Sequence, residues 1–408
     1  MPYFCGVNTL KVDNFDINRL LNSAFEDNID LRQLFNKKLE EYDIAKSKAL
    51  TFLGIDKDVF EDIISGSAKQ PNLIHVIKLA EFLGIGLQQA IAAIMKEQSP
   101  ETIASLEKSK NAVFLLKYFD IKKLTSLGFI DKNADVNDIT SRLLKFFGYK
   151  SILEFEVSQD APLYSRTKLM FTDKMMKFWV DSAYRVFKDI ANPHEYDREV
   201  LKDIIVKAKP YSQDVNNGLL TVCKALYHCG VTVIAQELLP TTQVRGGTFV
   251  INDKPCIVLT DYRKSYPTVW TTLMHELHHV LYDLEMIEKT KFHLTDEGRP
   301  DLFLIEDKAN EFAMNYFCDV DKYNFIKHHI HNKYQVDRFA KQLQVHPSMI
   351  YNAYQFYQQK LHAKNYWAAF KEEIPKNTPA LEKLNPVSWK EESIQQIAEK
   401  LKTVFELN

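Results

Sequence analysis

At 408 residues the chain is too long for one ordinary core, so two or three domains are expected. Apolar residues at 46% and charged residues at 26% exclude a disordered or fibrous chain. The 52 lysines and arginines nearly match the 54 aspartates and glutamates, which excludes a global electrostatic case for nucleic acid, so DNA contact needs a local basic face.

The first residues, MPYFCGVNTL, lack a basic stretch followed by an apolar one, and no segment approaches roughly eighteen uninterrupted apolar residues. The five cysteines are odd in number and widely spaced, without a CxxC, which argues against a disulfide framework. A reducing, cytoplasmic location without membrane contact is the expectation. Glycine and proline are sparse, at 12 and 14, and favour helix.

Residues 1–100 read as a domain of short helices. Between 46 and 85, apolar residues recur at helical spacing in Ala49–Leu50–Leu53, in Val59–Phe60–Ile63–Ile64 and in Ile74–Ile77–Leu79–Ala80–Leu83. Gly54, Gly66 and Gly84 follow these runs as stop signals, Asp56 is placed to cap the second helix, and Gln70-Pro71 opens the third. Three short helices with tight turns resemble the phage-repressor type of helix-turn-helix domain. The element that would enter the major groove, 56–64, carries Asp56, Asp58, Glu61 and Asp62 against Lys57 alone, a face that phosphates repel. DNA binding and docking to a protein partner therefore both stand, with Lys46, Lys48, Lys57 and Lys69 as the candidate contacts.

Residues 101–213 form a helical linking region. It holds two amphipathic helices around an Asp/Asn turn in 120–151 and another in MMKFWVDSAYRVFKDI, whose Phe178, Trp179, Tyr184 and Phe187 read as core. From 214 to 370 the pattern changes. A helix closed by Gly230 precedes a buried strand, VTVIA (231–235), and a hairpin follows from GTFVI (247–251) through the turn NDKP to CIVLT (256–260). Next comes a helix opening at Pro267 and Thr268. The fold class expected is mainly α with a small β-sheet, α+β, with a last amphipathic helix in the tail 371–408.

The helix after the hairpin contains LMHELHHVLYD (273–283). His275 and His279 stand four apart, so both imidazoles share one helical face and can chelate one ion. Glu276 points to the flank, where it can take a proton from water that zinc has acidified. His278 falls outside the i, i+4 pair and reads as a neighbour of the site. A catalytic zinc needs a third protein ligand and an open position. Glu306, Ala309, Asn310 and Ala313 share one face of the next helix, and small alanines there let the Glu306 carboxylate approach the ion. Glu311 lies around the helix from that face, and Asp307 and Glu297 read as solvated charges.

The segments GGTFVINDKPCIVLTDYRKSYPTVWTTLMHELHHVLYD, EDKANEFAMNYF and FAKQLQVHPSMIYNAYQ, in this order, resemble the ImmA/IrrE family of metallopeptidases across 231–355. The resemblance implies a gluzincin-like Zn2+ site with His275, His279 and Glu306 as ligands and Glu276 as base. It also implies an N-terminal helix-turn-helix domain and an endopeptidase that cleaves a transcriptional repressor, relieving repression in stress, phage or mobile-element regulation. The oxyanion-stabilising or supporting group is open among His278, Tyr282, His293, Asn310, Tyr316 and His346. Two alternatives stand beside the peptidase. One is a DNA- or protein-binding regulator with a non-catalytic metal site, and the other is an antitoxin-like adaptor. The oligomeric state is open, a dimer included.

Overall fold

The computed structural model describes residues 29–68, 70–159, 173–239, 243–296, 306–390 and 393–406. These are mainly helical with one small four-stranded mixed sheet, an α+β fold. No single helix among them is long and apolar enough to cross a membrane. The chain divides into two compact units, 1–114 and 115–408.

In the first unit, helices α1 (Leu31–Glu41), α2 (Lys46–Leu53), α3 (Lys57–Ile64), α4 (Leu73–Leu83) and α5 (Leu87–Lys96) enclose one apolar cluster. Phe35 lies at its centre, 4.4 Å from the Phe60 ring and 5.1 Å from the Phe82 ring. The three helices within 46–85 form where the periodicity places them, and the glycines after them take left-handed conformations. Gly66 is constrained twice, because its φ is +72° and a Cβ there would lie 1.6 Å from the Glu97 carbonyl oxygen. Asp56 occupies the cap position of α3 without a side-chain cap bond, whereas Asn72, one residue beyond Gln70-Pro71, caps α4 by accepting from the Ile74 amide.

The second unit is built around the sheet. Helix α6 (Lys174–Ile190) buries Phe178, Trp179 and Phe187, with Tyr184 half-buried. Helix α7 (Gly218–His228) leads into strand β1 (Thr232–Ala235), and β2 (Val244–Ile251) and β3 (Lys254–Leu259) form the hairpin. The turn residues Asn252 and Asp253 both have positive φ, +52° and +62°, as a two-residue hairpin turn requires. Helix α8 (Tyr266–Tyr282) carries the histidines, and strand β4 (Phe292–Asp296) follows it. The strand order is β1-β3-β2-β4, with β1 parallel to β3 and the other pairs antiparallel.

Strand β4 is absent from the sequence expectation, and it decides what the sheet presents to α8. Alternation along β2 and β4 sets Phe249 and Phe292 on one face, where Phe249 meets Phe187 of α6 at 5.5 Å. The opposite face holds Gly246, Thr248, His293 and Thr295, in register as Gly246↔Thr295 and Thr248↔His293. Helices α9 (Glu306–Phe317) and α10 (Pro347–His362) pack on α8, and α11 (Ile394–Glu406) packs on α6. The residues from 115 onward, the C-terminal tail included, fall in the same compact unit as the sheet, and α6 packs on both β2 and α11.

Candidate metal centre

Helix α8 is fixed at both ends. At its start the Tyr266 hydroxyl donates to the Ser212 carbonyl at 2.9 Å, and at its end the Arg198 guanidinium donates to the Leu281 carbonyl at 3.0 Å. The i, i+4 spacing brings His275 Nε2 and His279 Nε2 to 3.1 Å. Each ring is set by an acceptor on its other nitrogen. Asn310 Oδ1 accepts from His275 Nδ1 at 3.1 Å, and Asp283 Oδ2 accepts from His279 Nδ1 at 2.8 Å. An amide oxygen and a carboxylate only accept, so both Nδ1 atoms carry hydrogen and both Nε2 lone pairs face the same point.

Glu306 closes that point from α9. Its Oε2 is 3.2 Å from His275 Nε2 and its Oε1 is 3.5 Å from His279 Nε2. Ala309 and Ala313 are buried beside α8, which lets α9 lie close enough for this contact. Donors bound at 2.0–2.1 Å around a tetrahedral ion stand about 3.3 Å apart, close to the 3.1 Å between the two imidazole nitrogens and the 3.2 Å from His275 Nε2 to Glu306 Oε2. His275, His279 and Glu306 are therefore a group that could hold a metal ion. Two lone pairs and a carboxylate meeting in a buried place require a cation or a proton between them.

The electrostatics agree with that reading. Burial opposes ionisation of Glu306, but the surrounding imidazoles of His275, His279 and His293 outweigh it and hold its carboxyl well below the usual carboxylate range. At His275 burial wins and lowers the pKa. At His279 burial acts in the same direction, and Glu306, Glu276 and Asp283 overcome it, so the pKa rises.

Glu276 is fully buried against the sheet. Its Oε2 accepts from Thr248 Oγ1 at 2.8 Å and its Oε1 from Thr295 Oγ1 at 2.7 Å. Each carboxylate oxygen keeps a second lone pair. Gly246 makes room for this carboxylate, since a Cβ there would lie 3.0 Å from Glu276 Oε1 and 2.7 Å from Thr272 Cγ2. Gly246→Ala is expected to lower stability by about 1–3 kcal/mol through overpacking. Chemical denaturation of the two proteins checks this, and equal midpoints would refute the close packing.

The sequence expectations for the supporting residues divide. Asn310 stands at the site as expected, and His293 adds a contact from β4, its Nε2 at 2.8 Å from Glu306 Oε1. His278 is buried beside the site, not in the trio. It packs on His279, Tyr282 and Phe312, and burial followed by the His279 imidazole pushes its pKa down to about 4. A second grouping of His278, His279 and Asp283 shares His279 Nδ1, which Asp283 already occupies as the orienting acceptor. Tyr282 is exposed. Tyr316 donates its hydroxyl to the Ile205 carbonyl at 2.7 Å, and His346 caps α10 by accepting from the Ser348 amide. The Tyr316 hydroxyl and His346 Nδ1 are thus each taken up by a partner outside the trio. Glu311 is paired with Lys360, Asp307 is exposed, and Glu297 lies outside the described residues.

Sequence reasoning did not single out Thr248, Thr295 or Asp283. Asp283 stands four residues after His279, a spacing that marks it as a helical neighbour. The alternation Phe292-His293-Leu294-Thr295 is a strand signal that places His293 and Thr295 on one face. Asp283→Asn is expected to weaken metal binding by about 10–100-fold, as loss of an orienting partner does. Competition titration against a chelator checks it, and an unchanged affinity would remove Asp283 from the site.

In the first unit, the described candidate lysines, Lys46, Lys48 and Lys57, each have an acidic or aromatic neighbour. Lys46 is paired with Glu61, which also takes Arg32 at 2.8 Å, and Lys57 is exposed between the exposed Asp56 and Asp58. Lys48 lies over the Phe52 ring, and Lys69 falls outside the described residues.

Fold and site together define an α+β protein with a buried His–His–Glu group suited to one metal ion. Comparison with protein-family models, curated proteins and solved structures gave no match.

Proposed function

We propose that the chain is a zinc-dependent endopeptidase of the ImmA/IrrE kind, acting in the cytoplasm on a transcriptional repressor or a similar regulatory protein. The observation that carries this reading is the convergence of His275, His279 and Glu306 beside a carboxylate, Glu276, that is not one of the three ligands. Two histidines and a glutamate are the ligand set of hydrolytic zinc sites that leave a position open. When bound, zinc supplies Lewis acidity, polarising a peptide carbonyl and making water acidic near neutral pH.

The chain's own residues do the rest. Glu276 takes the proton of the attacking water on a carboxylate oxygen and returns it to the leaving amine. Thr248 and Thr295 keep its carboxylate plane fixed, and the apolar residues of α8 exclude bulk water from one side. His293 orients Glu306.

The first unit then serves to dock the repressor. The acidic surface of α3 favours a protein contact over DNA, because DNA affinity comes chiefly from unpaired lysine and arginine.

The test uses the full chain, the repressor encoded by the neighbouring gene and a metal assay. One zinc per chain and a single cleavage, both lost on chelation and both restored by zinc, are the expected results. Cleavage that survives complete metal removal would overturn the reading.

A further inference from the structure

Beside the metal centre, between β2, α8, α9 and α10, lies a cleft of about 430 Å³. It shares Asn310 with the site, and its wall includes Thr271, one helical turn before His275. Two arginines, Arg245 and Arg263, line it with Asn352 and Trp367, and no aspartate or glutamate is among the described residues that do so. Its size is that of a small-ligand pocket and ample for one side chain.

Arg245 is placed there by a defect in the sheet. Val244 pairs with Asp296 and Gly246 with Thr295, so Arg245 is an extra residue on β2, a β-bulge. Bulges re-aim a side chain and are common next to active sites. Thr260 fixes this one, its hydroxyl donating to the Val244 carbonyl at 2.7 Å and its amide to the Arg245 carbonyl at 3.1 Å. The Arg245 Nε is shielded from solvent and has no hydrogen-bond partner, and among the described residues Arg245 makes no ion pair. A guanidinium lining a cleft whose described walls hold no acidic side chain is matched by a carboxylate, which meets it with paired, charge-assisted bonds.

We infer that this cleft is a subsite for a carboxylate of the peptide substrate, with Arg245 as its specificity-determining residue. The inference rests on the peptidase reading and names its substrate class, an acidic peptide segment bound within a few residues of the scissile bond. The carboxylate belongs either to an internal glutamate or aspartate side chain or to a chain end.

The test reads binding, not hydrolysis. Three probes are titrated by NMR into the full chain as purified and after chelation: acetyl-Ala-Glu-Ala-amide, its Gln counterpart, and acetyl-Ala-Ala-Ala with a free C-terminal carboxylate. Preference for a carboxylate probe over the Gln peptide of about tenfold or more is expected. It is expected in both preparations and should vanish in Arg245→Gln. This variant keeps the bulge, whose bonds are to backbone carbonyls. The Glu peptide binding best assigns a side-chain subsite, and the free-ended peptide binding best assigns a chain end. Equal binding of all three probes, no binding of any, or a preference that persists in Arg245→Gln would overturn the inference. A chain that binds the Glu peptide but cuts nothing would fail the peptidase reading alone.

Discussion

Glu276→Gln is expected to slow repressor cleavage by about 10²–10⁴-fold, the range that general acid–base catalysis contributes, while zinc content stays at wild-type level. Glu276 supplies no atom to the His275–His279–Glu306 trio, so the substitution leaves the metal's donors in place. Glutamine has the same shape. Its amide nitrogen can donate to one threonine hydroxyl while its oxygen accepts from the other, so the buried contacts with Thr248 and Thr295 survive. What disappears is a lone pair basic enough to take a proton from water. Initial rates with metal content measured on the same samples check this, and a variant that cleaves as fast as wild type would remove Glu276 from the chemistry.

Glu306→Ala acts one step earlier. It takes away one of the three proposed ligands and the charge that three imidazoles face. Loss of an orienting partner costs about 10–100-fold in metal affinity, and loss of a ligand is expected to exceed that range. The vacated point would then hold His275 Nε2 and His279 Nε2 at 3.1 Å with nothing between them but a proton or water. Zinc competition titration reads the affinity, and cleavage should fall in parallel at limiting zinc and recover in part at high zinc. Wild-type affinity in Glu306→Ala would show that the third ligand lies elsewhere.

Local features of the fold were legible because they depend on short-range patterns. The helices of 46–85, the Asn252–Asp253 hairpin and the motif helix each carry periodicity and stop signals within about twenty residues. The grouping of His275, His279 and Glu306 was legible for the same reason: the two histidines share a helix, and the Glu306–Ala309–Ala313 face announces a close helix contact. Long-range pairing was not. β4 is short, and its alternation gains meaning only once β2 lies beside it, so the partners of Glu276 stayed hidden. His293 was noticed as a residue but not as the neighbour of Glu306, since that contact joins a strand to a helix across a connection. His346 was ambiguous in the other direction. Its position in VHPS suits a helix cap as well as a catalytic role, and the geometry at Ser348 selects the cap.

The sheet's outermost strand has a consequence for the life of the protein. Among the described residues β4 pairs with β2 alone, yet it carries the residue that contacts Glu306 and one of the two that bond Glu276. Sheet margins open more readily than sheet centres. An ion held by His275, His279 and Glu306 would favour the closed margin, since what binds only the folded form stabilises it by mass action. On the peptidase reading, scarce zinc would loosen the margin, and a loosened margin would both disarm Glu276 and offer the chain itself to proteolysis. The supply of metal would in this way set how long the protein lasts as well as how fast it works.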